Sequence, residues 1–338
     1  MRAREVRGKP RIGITLGDLA GIGPEVALKA VRDPKILAEV RPVLIGPRAV
    51  VEHYATRLRL TKRLSFVADL PEIVSSTRIH VLDTGHFTLP AIPFGEVHRE
   101  CGRAALEAIR RGVALARAGR LDALVTGPIH KKSAQLAGMV GAGHTEFIAY
   151  LCAVKDVRLM LVGPQLRVIH VSAHVSLRKA LDLITRERIV RTIELGVEVL
   201  KRLGIERPRV AVAGANPHAS DAGLFGREEE LEIAPAVATA ARRGYNVQGP
   251  LPPDTVFYRA AQGEFDLVVA MYHDQGHIAA KTLGFADAVN VTAGLPIIRT
   301  SVDHGTAFDL VGRNKADPRN MKHAILLAGR LARRQRAA

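Results

Sequence analysis

Short apolar runs alternate with longer amphipathic stretches along this 338-residue chain. The apolar runs predict strands at Arg11–Leu16, Pro42–Ile45, Ile79–Leu82, Ala123–Thr126, Leu159–Val162, Val168–Val171, Val210–Ala213, Leu267–Met271 and Ala288–Val291. The amphipathic stretches predict helices from Pro24 and over Arg99–Ala118, Ile184–Leu203, Arg227–Arg243 and Met321–Ala332. This alternation predicts an α/β architecture with parallel strand pairing and covered sheet faces.

Length and composition indicate a globular protein of about two domains. Hydrophobic residues make up 47% of the chain without any long apolar run, so no membrane partner is expected. The first ten residues lack the apolar stretch of a secretory signal, and Cys101 and Cys152 stand far apart. We therefore expect a cytoplasmic protein whose cysteines are buried thiols.

The net charge of +16 first suggests nucleic acid as the partner. Arginine accounts for 37 of the 49 basic residues, however, and these are spread along the chain. The sequence has no Trp, few aromatic residues and no spacing typical of an RNA- or DNA-binding module. The pattern favours a small anionic substrate and an anionic cofactor, and excludes nucleic acid as the expected partner.

A glycine-rich turn, Gly17-Asp18-Leu19-Ala20-Gly21-Ile22-Gly23, joins the first strand to the first helix. Such a turn lets a backbone approach a ligand closely, and the helix N-terminus behind it attracts anions. It matches neither the dinucleotide-binding fingerprint, because Val26 stands at the third glycine position, nor a phosphate-binding P-loop. A binding loop and a structural tight turn both remain open.

Histidines cluster after predicted strands. His170 and His174 are four residues apart, as are His273 and His277, and His218 follows the strand Val210–Ala213. Neutral imidazole is a common ligand of zinc-like ions, and three such ligands with an open position make a Lewis-acid site. A hydrogen-bonded structural histidine is the alternative at each position.

Two further groups suggest anion binding. In Gly143-His144-Thr145-Glu146, Thr145 is a candidate helix N-cap, which would direct backbone N–H groups at an anion or serve only as a cap. Lys281, Asn290 and Arg299 are nine residues apart in a predicted strand-to-loop context, and supply a point charge, an amide and a bidentate fork. Together they favour a polyanionic small substrate.

At these residues the sequence resembles the 4-hydroxythreonine-4-phosphate dehydrogenase family. The resemblance rests on GDLAGIGPE at Gly17–Glu25, VTGPI at Val125–Ile129, GHTE at Gly143–Glu146, NPH at Asn216–His218, FGREE at Phe225–Glu229, YHDQG at Tyr272–Gly276 and GLPIIRTSVDHGTAFD at Gly294–Asp309. It implies two α/β/α domains of the isocitrate/isopropylmalate dehydrogenase-like type with an interdomain cleft. The domains expected are 1–128 plus 300–338, with the cofactor loop, and 129–299, with the metal and substrate site and a dimer interface.

The resemblance also implies a set of site residues. The divalent metal ligands fall on His174, His218 and His273, contributed by two subunits of a homodimer, and His170 and His277 are not among them. Substrate contacts fall on His144, Thr145, Lys281, Asn290 and Arg299, with Lys281 also the candidate proton relay. A second resemblance, to the adenosine-binding loop of isopropylmalate dehydrogenases, places the cofactor at His304, Gly305, Thr306 and Ala307.

The implied activity is NAD-dependent oxidation of the secondary hydroxyl of 4-phosphohydroxy-L-threonine to a β-keto acid, which decarboxylates to 3-amino-2-oxopropyl phosphate in pyridoxal phosphate biosynthesis. NADP is an open alternative, and the metal is open among zinc, magnesium, manganese and cobalt.

Leu19, His130 and the Ser220-Asp221 pair depart from the usual family pattern. Relatives that oxidise 4-phospho-D-threonate, 4-phospho-D-erythronate or an aromatic cis-dihydrodiol dicarboxylate such as the terephthalate diol therefore remain alternatives. From other classes, a phosphate-binding acyltransferase and a nucleic-acid-binding protein remain.

Overall fold

The computed structural model describes residues 8–70, 78–85, 87, 93–284 and 287–337, so part of the N-terminal stretch used to predict the absence of an export signal lies outside the described residues. The chain forms two compact units, Met1–Ala153 with Pro296–Ala338, and Val154–Leu295. The expected boundary at 128/129 falls inside the first unit, because α5 (Lys131–Leu136) and α6 (His144–Leu151) pack on α4 (Arg99–Arg117). The second boundary falls at Pro296, slightly before residue 300.

Among its described residues, the first unit contains six strands, and these pair in parallel throughout. They are β1 (Arg11–Thr15), β2 (Arg41–Gly46), β3 (Leu64–Val67), β4 (Ile79–Asp83), β5 (Ala123–Thr126) and β12 (Arg299–Ser301), in the spatial order β3-β4-β2-β1-β5-β12. The central strands are buried along almost their whole length, as expected of strands covered on both faces. The predicted strands match β1, β2, β4 and β5 within one residue at each end.

Most helices of the first unit begin where the sequence offers a proline or a side-chain cap. They are α1 (Gly23–Val31), α2 (Pro34–Glu39), α3 (Arg48–Arg57), α4, α5, α6 and α12 (Arg319–Ala337). Pro24 stands in the first turn of α1, and Nδ1 of His98 accepts the backbone N–H of Glu100 at the start of α4. Helix α12 is longer than the predicted Met321–Ala332 at both ends.

The second unit contains a mixed sheet. Its strands are β6 (Arg158–Val162), β7 (Arg167–His170), β8 (Val210–Ala213), β9 (Val247–Leu251), β10 (Leu267–Ala270) and β11 (Val289–Ala293), in the order β11-β6-β7-β10-β8-β9. Strands β7, β10, β8 and β9 are parallel, but β6 pairs antiparallel with β7 and with β11. The expectation of parallel pairing is wrong for β6, because the short turn closed by Gly163 N–H on Leu166 O permits only a hairpin.

The helices of the second unit are α7 (Leu177–Asp182), α8 (Arg186–Arg202), α9 (Ala234–Arg242), α10 (Pro253–Ala261) and α11 (His273–Gly284). The helix predicted over Arg227–Arg243 is present, but a wider π-helical turn at Glu229–Ile233 precedes α9 within it. Pro235, in the first turn of α9, lacks an N–H and so leaves one bond out of the backbone ladder there. Among the described residues, no helix has the length and apolar character needed to cross a membrane.

A buried ion pair ties α1 to the segment before α12. Oε1 of Glu25, a residue only 2% exposed, accepts Lys29 Nζ at 2.7 Å and the backbone N–H of Ala316 at 3.0 Å. Lys29 Nζ also donates to the carbonyls of Asn314 and Ala316. Removing one partner of such a pair leaves the other charge and a buried N–H uncompensated.

We expect Glu25→Ala to lower the free energy of unfolding by about 3 kcal/mol, measured by urea titration. The matched control is Glu52→Ala, which removes the exposed i,i+4 pair of Arg48 and Glu52 on α3 and should cost under about 1 kcal/mol. Equal losses for the two variants would contradict the role of the Glu25 pair.

Candidate functional site

The histidines of the second unit follow three strands that are neighbours in the sheet. His170 ends β7 and His174 lies just beyond it, His273 begins α11 directly after β10, and His218 follows β8. Because β7, β10 and β8 are parallel, their carboxyl ends meet at the same edge of the sheet. The strand order therefore gathers three segments that are distant in the sequence.

His174 and His273 are close together, with ring centroids 5.7 Å apart. Two imidazoles that share an ion about 2.1 Å from each nitrogen have their centroids roughly 5–6 Å apart. Nδ1 of His273 lies 2.7 Å from the carboxylate of Asp274, which can only accept, so this nitrogen donates and Nε2 keeps its lone pair. A carboxylate behind a histidine in this way is typical of metal sites. These two residues fit a divalent metal ion.

His218 lies in a left-handed turn, since every residue from His218 to Ala222 has positive φ. The buried carboxylate of Glu229 holds the start of this turn, accepting the N–H groups of Ala215 and Asn216 at 2.7 and 2.8 Å. His218 thus belongs to the third strand end, but among the described residues no three His, Cys, Asp or Glu side chains are grouped as a metal cluster. The donor chemistry and strand order fit a metal ion, whereas in this conformation only two of the three expected ligands are adjacent.

A second pair of histidines lies behind the first. His170 and His277 are 1% and 6% exposed, and Nδ1 of His277 lies 3.1 Å from Nε2 of His170. Burial lowers the pKa of His170 to about 4 and that of His277 to about 3. Both rings are therefore uncharged at neutral pH.

Lys281 and Asn290 are on different elements of the second unit. Lys281 lies on α11, one turn after His277, and not in the predicted strand-to-loop context. Its charge contributes to the lowered pKa of His277, after burial and the other histidines. Asn290 lies on β11 opposite Leu161 of β6, and its Oδ1 is a buried acceptor without a hydrogen-bond partner among the described residues.

In the first unit the structure brings His144 and Arg299 together. Arg299 is 1% exposed and donates to Thr126 Oγ1 at 2.8 Å. Burial lowers the pKa of Arg299 to about 10, partly offset by Glu146, so the guanidinium is a buried cation at neutral pH. Burial and this cation lower the pKa of His144 well below its ordinary value, and its buried Nε2 has no hydrogen-bond partner in the described part of the chain.

The prediction that Thr145 caps the helix at this place is wrong. Helix α6 begins at His144 with Gly143 as its N-cap, so Thr145 lies inside the first turn and makes no cap hydrogen bond. The extended backbone of Gly143 takes the N-cap position instead. Without a capping side chain, the first N–H groups of α6 remain available beside His144 and Thr145.

The predicted cofactor loop packs on the glycine-rich turn. The backbone N–H of Ile22 donates to Thr306 O at 3.0 Å, and a Cβ on Gly21 would lie 2.8 Å from Cβ of Thr306. Glycine at position 21 is therefore required by this close approach. Nε2 of His304 is buried without a hydrogen-bond partner among the described residues, while Nδ1 lies 2.9 Å from Gly305 O. An unpaired buried ring nitrogen in a loop at the end of β12 fits a bound nucleotide.

Three residues that contact the NPH segment or lie beside the cofactor loop were not predicted as site residues: Glu229, His130 and Phe308. Glu229 was recognised only as part of a family motif, and nothing in a single sequence shows that it binds the NPH segment. His130 stacks on Phe308 beside the cofactor loop, with centroids 5.0 Å apart and planes 17° apart. These two residues are far apart in sequence, so the sequence alone could not predict that they are in contact.

Comparison with known proteins places the chain in a family. The family model described as "Pyridoxal phosphate biosynthetic protein PdxA" matches residues 38–328. The D-threonate 4-phosphate dehydrogenase of Cupriavidus necator is 47% identical over 330 residues, which are 96% of this chain and 98% of that protein.

Solved structures agree with this assignment. A 4-hydroxythreonine-4-phosphate dehydrogenase from Burkholderia phymatum is 44% identical, with a TM-score of 0.83, covering 96% of this chain and 99% of that one. A terephthalate 1,2-cis-dihydrodiol dehydrogenase from Burkholderia xenovorans is 31% identical, with a TM-score of 0.68, covering 95% and 98%.

The predicted α/β fold of the dehydrogenase type and the predicted enzyme class are confirmed by these relatives. The family model and the relatives each cover well over half of the chain. The chain belongs to the PdxA family, as its motifs predicted.

Proposed function

We propose that the protein is a metal- and NAD-dependent dehydrogenase that oxidises a secondary hydroxyl of a small phosphorylated hydroxy acid. The observation that carries the proposal is the meeting of the histidine-bearing ends of β7, β10 and β8 at one sheet edge. The first substrate we propose is 4-phospho-D-threonate, because the 47% identical relative is named for it. The substrate expected from the sequence, 4-phosphohydroxy-L-threonine, is the second.

His174, His218 and His273 are the proposed ligands of the metal ion, and the loop His304–Ala307 is the proposed cofactor site. The metal supplies a Lewis acid for the substrate hydroxyl oxygen, and NAD⁺ or NADP⁺ supplies the hydride acceptor. Neutral imidazoles accept zinc, magnesium, manganese or cobalt, so the ligands leave the metal open.

Arg299 and His144 are proposed to bind the phosphate of the substrate. A cation that is buried and still charged at neutral pH attracts an anion far more strongly than a solvated one does. Nε2 of His144 and the first N–H groups of α6, including that of Thr145, provide hydrogen-bonding positions nearby. These groups can hold the substrate by its charged end.

Lys281 is proposed to act as the proton relay for the reacting hydroxyl, since it lies on the helix that carries His273. Asn290 is proposed to orient the substrate through its buried Oδ1. Oxidation of the hydroxyl-bearing carbon β to the carboxylate produces a β-keto acid, which can then lose CO₂. From 4-phospho-D-threonate the product is a phosphorylated dihydroxyketone, and from 4-phosphohydroxy-L-threonine it is 3-amino-2-oxopropyl phosphate.

A homodimer with shared sites is part of the proposal. Several large apolar side chains of the second unit are exposed, among them Leu224 (72%), Tyr258 (68%) and Ile278 (67%). They lie after β8, on α10 and on α11, and α10 packs against both α11 and the turn at Pro217–Ser220. Exposed apolar residues on neighbouring elements are typical of a subunit interface.

We expect NADH production with divalent metal to show its highest kcat/KM on 4-phospho-D-threonate, followed by 4-phosphohydroxy-L-threonine. A dicarboxylate dihydrodiol should react poorly, because it offers no phosphate to the buried cation of Arg299. A highest kcat/KM on the dihydrodiol would contradict the phosphate assignment, and no reduction of NAD⁺ or NADP⁺ with any of the three would overturn the proposed substrate class.

We expect Arg299→Lys to raise KM for the phosphorylated substrate by about 10- to 100-fold, because lysine keeps the charge but loses the planar fork. The matched control is Arg158→Lys, another buried arginine, which binds Asp156 and Thr192 in the second unit. The control should lower thermal stability and leave KM unchanged. A similar KM change in both variants would show that Arg299 acts through folding alone.

We expect His174→Ala, His218→Ala and His273→Ala each to be inactive alone. If two ligands come from one subunit and the third from its partner, co-expression of the variants in pairs should restore activity in two of the three combinations, up to about a quarter of the wild-type value. Restoration in none of the pairs would contradict shared sites. Full activity of any single variant, or of wild type after chelation, would contradict the metal assignment.

A further inference from the structure

The proposed reaction makes no use of His170 and His277, although both are almost fully buried beside His273. Polar rings are costly to bury unless their nitrogens are hydrogen-bonded. His170 Nδ1 lies 3.1 Å from the carbonyl of Leu159, and His170 Nε2 lies 3.1 Å from His277 Nδ1. The two rings therefore form a chain of hydrogen bonds that runs from β6 through β7 to α11.

Only one arrangement of protons satisfies this chain. The carbonyl of Leu159 can only accept, so Nδ1 of His170 carries a proton and Nε2 of this neutral ring is an acceptor. Nδ1 of His277 must then donate to it, and the same N–H also lies 3.2 Å from the carbonyl of His273. Each ring is held in its Nδ1–H tautomer by the group before it.

The chain ends at the face of a proposed metal ligand. The ring of His277 stacks on that of His273, with centroids 3.7 Å apart and planes 13° apart. Asp274 holds the edge of the His273 ring by the hydrogen bond to Nδ1. The plane of His273 and the nitrogen that keeps its lone pair are thus set from two sides.

Gly276 makes this packing possible. A Cβ at this position would lie 2.5 Å from Nε2 of His170 and 2.6 Å from Cγ1 of Val168. Helix α11 can therefore approach β7 closely enough for the two histidines to bond only when residue 276 has no side chain.

We propose that His170 and His277 are positioning residues: their hydrogen bond holds the ring of His277 against the face of His273 and so keeps His273 in the ring orientation required to bind a metal ion through Nε2, while Asp274 sets its tautomer. This inference rests on the proposed function for the identity of the ligand. The hydrogen-bond chain itself involves only protein groups.

The first test is made on metal-free protein with ¹⁵N-labelled histidine, whose ring nitrogen shifts report the tautomer of each residue. In wild type we expect His170, His277 and His273 all to be Nδ1–H tautomers. In His277→Leu we expect the ring signals of His273 to shift and broaden, because its ring loses the stacked partner that fixes its orientation. An Nε2–H tautomer at His170 or His277 in wild type, or unchanged ring signals of His273 in the variant, would overturn the inference.

The second test measures Co²⁺ affinity by calorimetry and the visible Co²⁺ spectrum. We expect His277→Leu to weaken binding by about 10- to 100-fold. His277→Asn returns a donor near the Nδ1 position without the stacked ring, and His277→Phe returns the ring without the donor, so each should show a smaller loss. Equal losses of Co²⁺ affinity for Leu, Asn and Phe would show that the hydrogen bond and the stacked ring of His277 do not each contribute, and would contradict the inference.

Two control variants separate this inference from folding and from the proposed function. Val256→Ala makes a cavity in the apolar core that also contains Val168 and Ala280, and it should lower stability but leave Co²⁺ affinity unchanged. His273→Ala should abolish binding. If His273→Ala binds Co²⁺ as wild type does, the proposed metal site fails. If His273→Ala loses binding while His277→Leu matches wild type, only the positioning role fails.

Discussion

Parallel pairing of β7, β10 and β8 is the constraint on which the candidate metal site depends. Parallel strands end at the same edge of a sheet, so whatever follows them meets there. His174, His218 and His273 each follow one of these strands, so the shared edge brings together residues that are far apart in sequence. In the first unit the parallel neighbours β1, β5 and β12 likewise bring the glycine-rich turn to the loop His304–Ala307.

Polar side chains then fix the loops and rings that the sheet brings together. Glu229 holds the segment before His218 by two backbone N–H groups, and Asp274 and His277 contact His273 at its edge and its face. The contacts of Glu229 satisfy two backbone donors, and those of Asp274 and His277 fix the direction and the plane of the His273 ring. Arg299 differs, because its charge persists in a buried position beside His144, where Glu146 favours the charged form.

Particular residues show where prediction from sequence succeeds. Strands such as β5 and β8 were predicted to the residue, because fully buried parallel strands are continuous apolar runs bounded by polar turns. Prediction failed where one local choice overrides the pattern, since the hairpin at Gly163 reverses β6. The helix predicted over Arg227–Arg243 is present but contains a π-helical turn that periodicity does not show. Thr145 resembled an N-cap, but the extended backbone of Gly143 occupies that position.

The sequence by itself determined the α/β class, the family and the residue types available for binding a metal and an anion, because these follow from periodicity and from motifs of adjacent residues. Tertiary structure alone decided which of these residues are neighbours. It placed His174 against His273, buried Arg299 beside His144, and made a hydrogen-bonded pair of His170 and His277, which neither four-residue spacing predicted. These contacts form only between residues that the order of strands in the sheet brings together, and that order is a property of the whole chain.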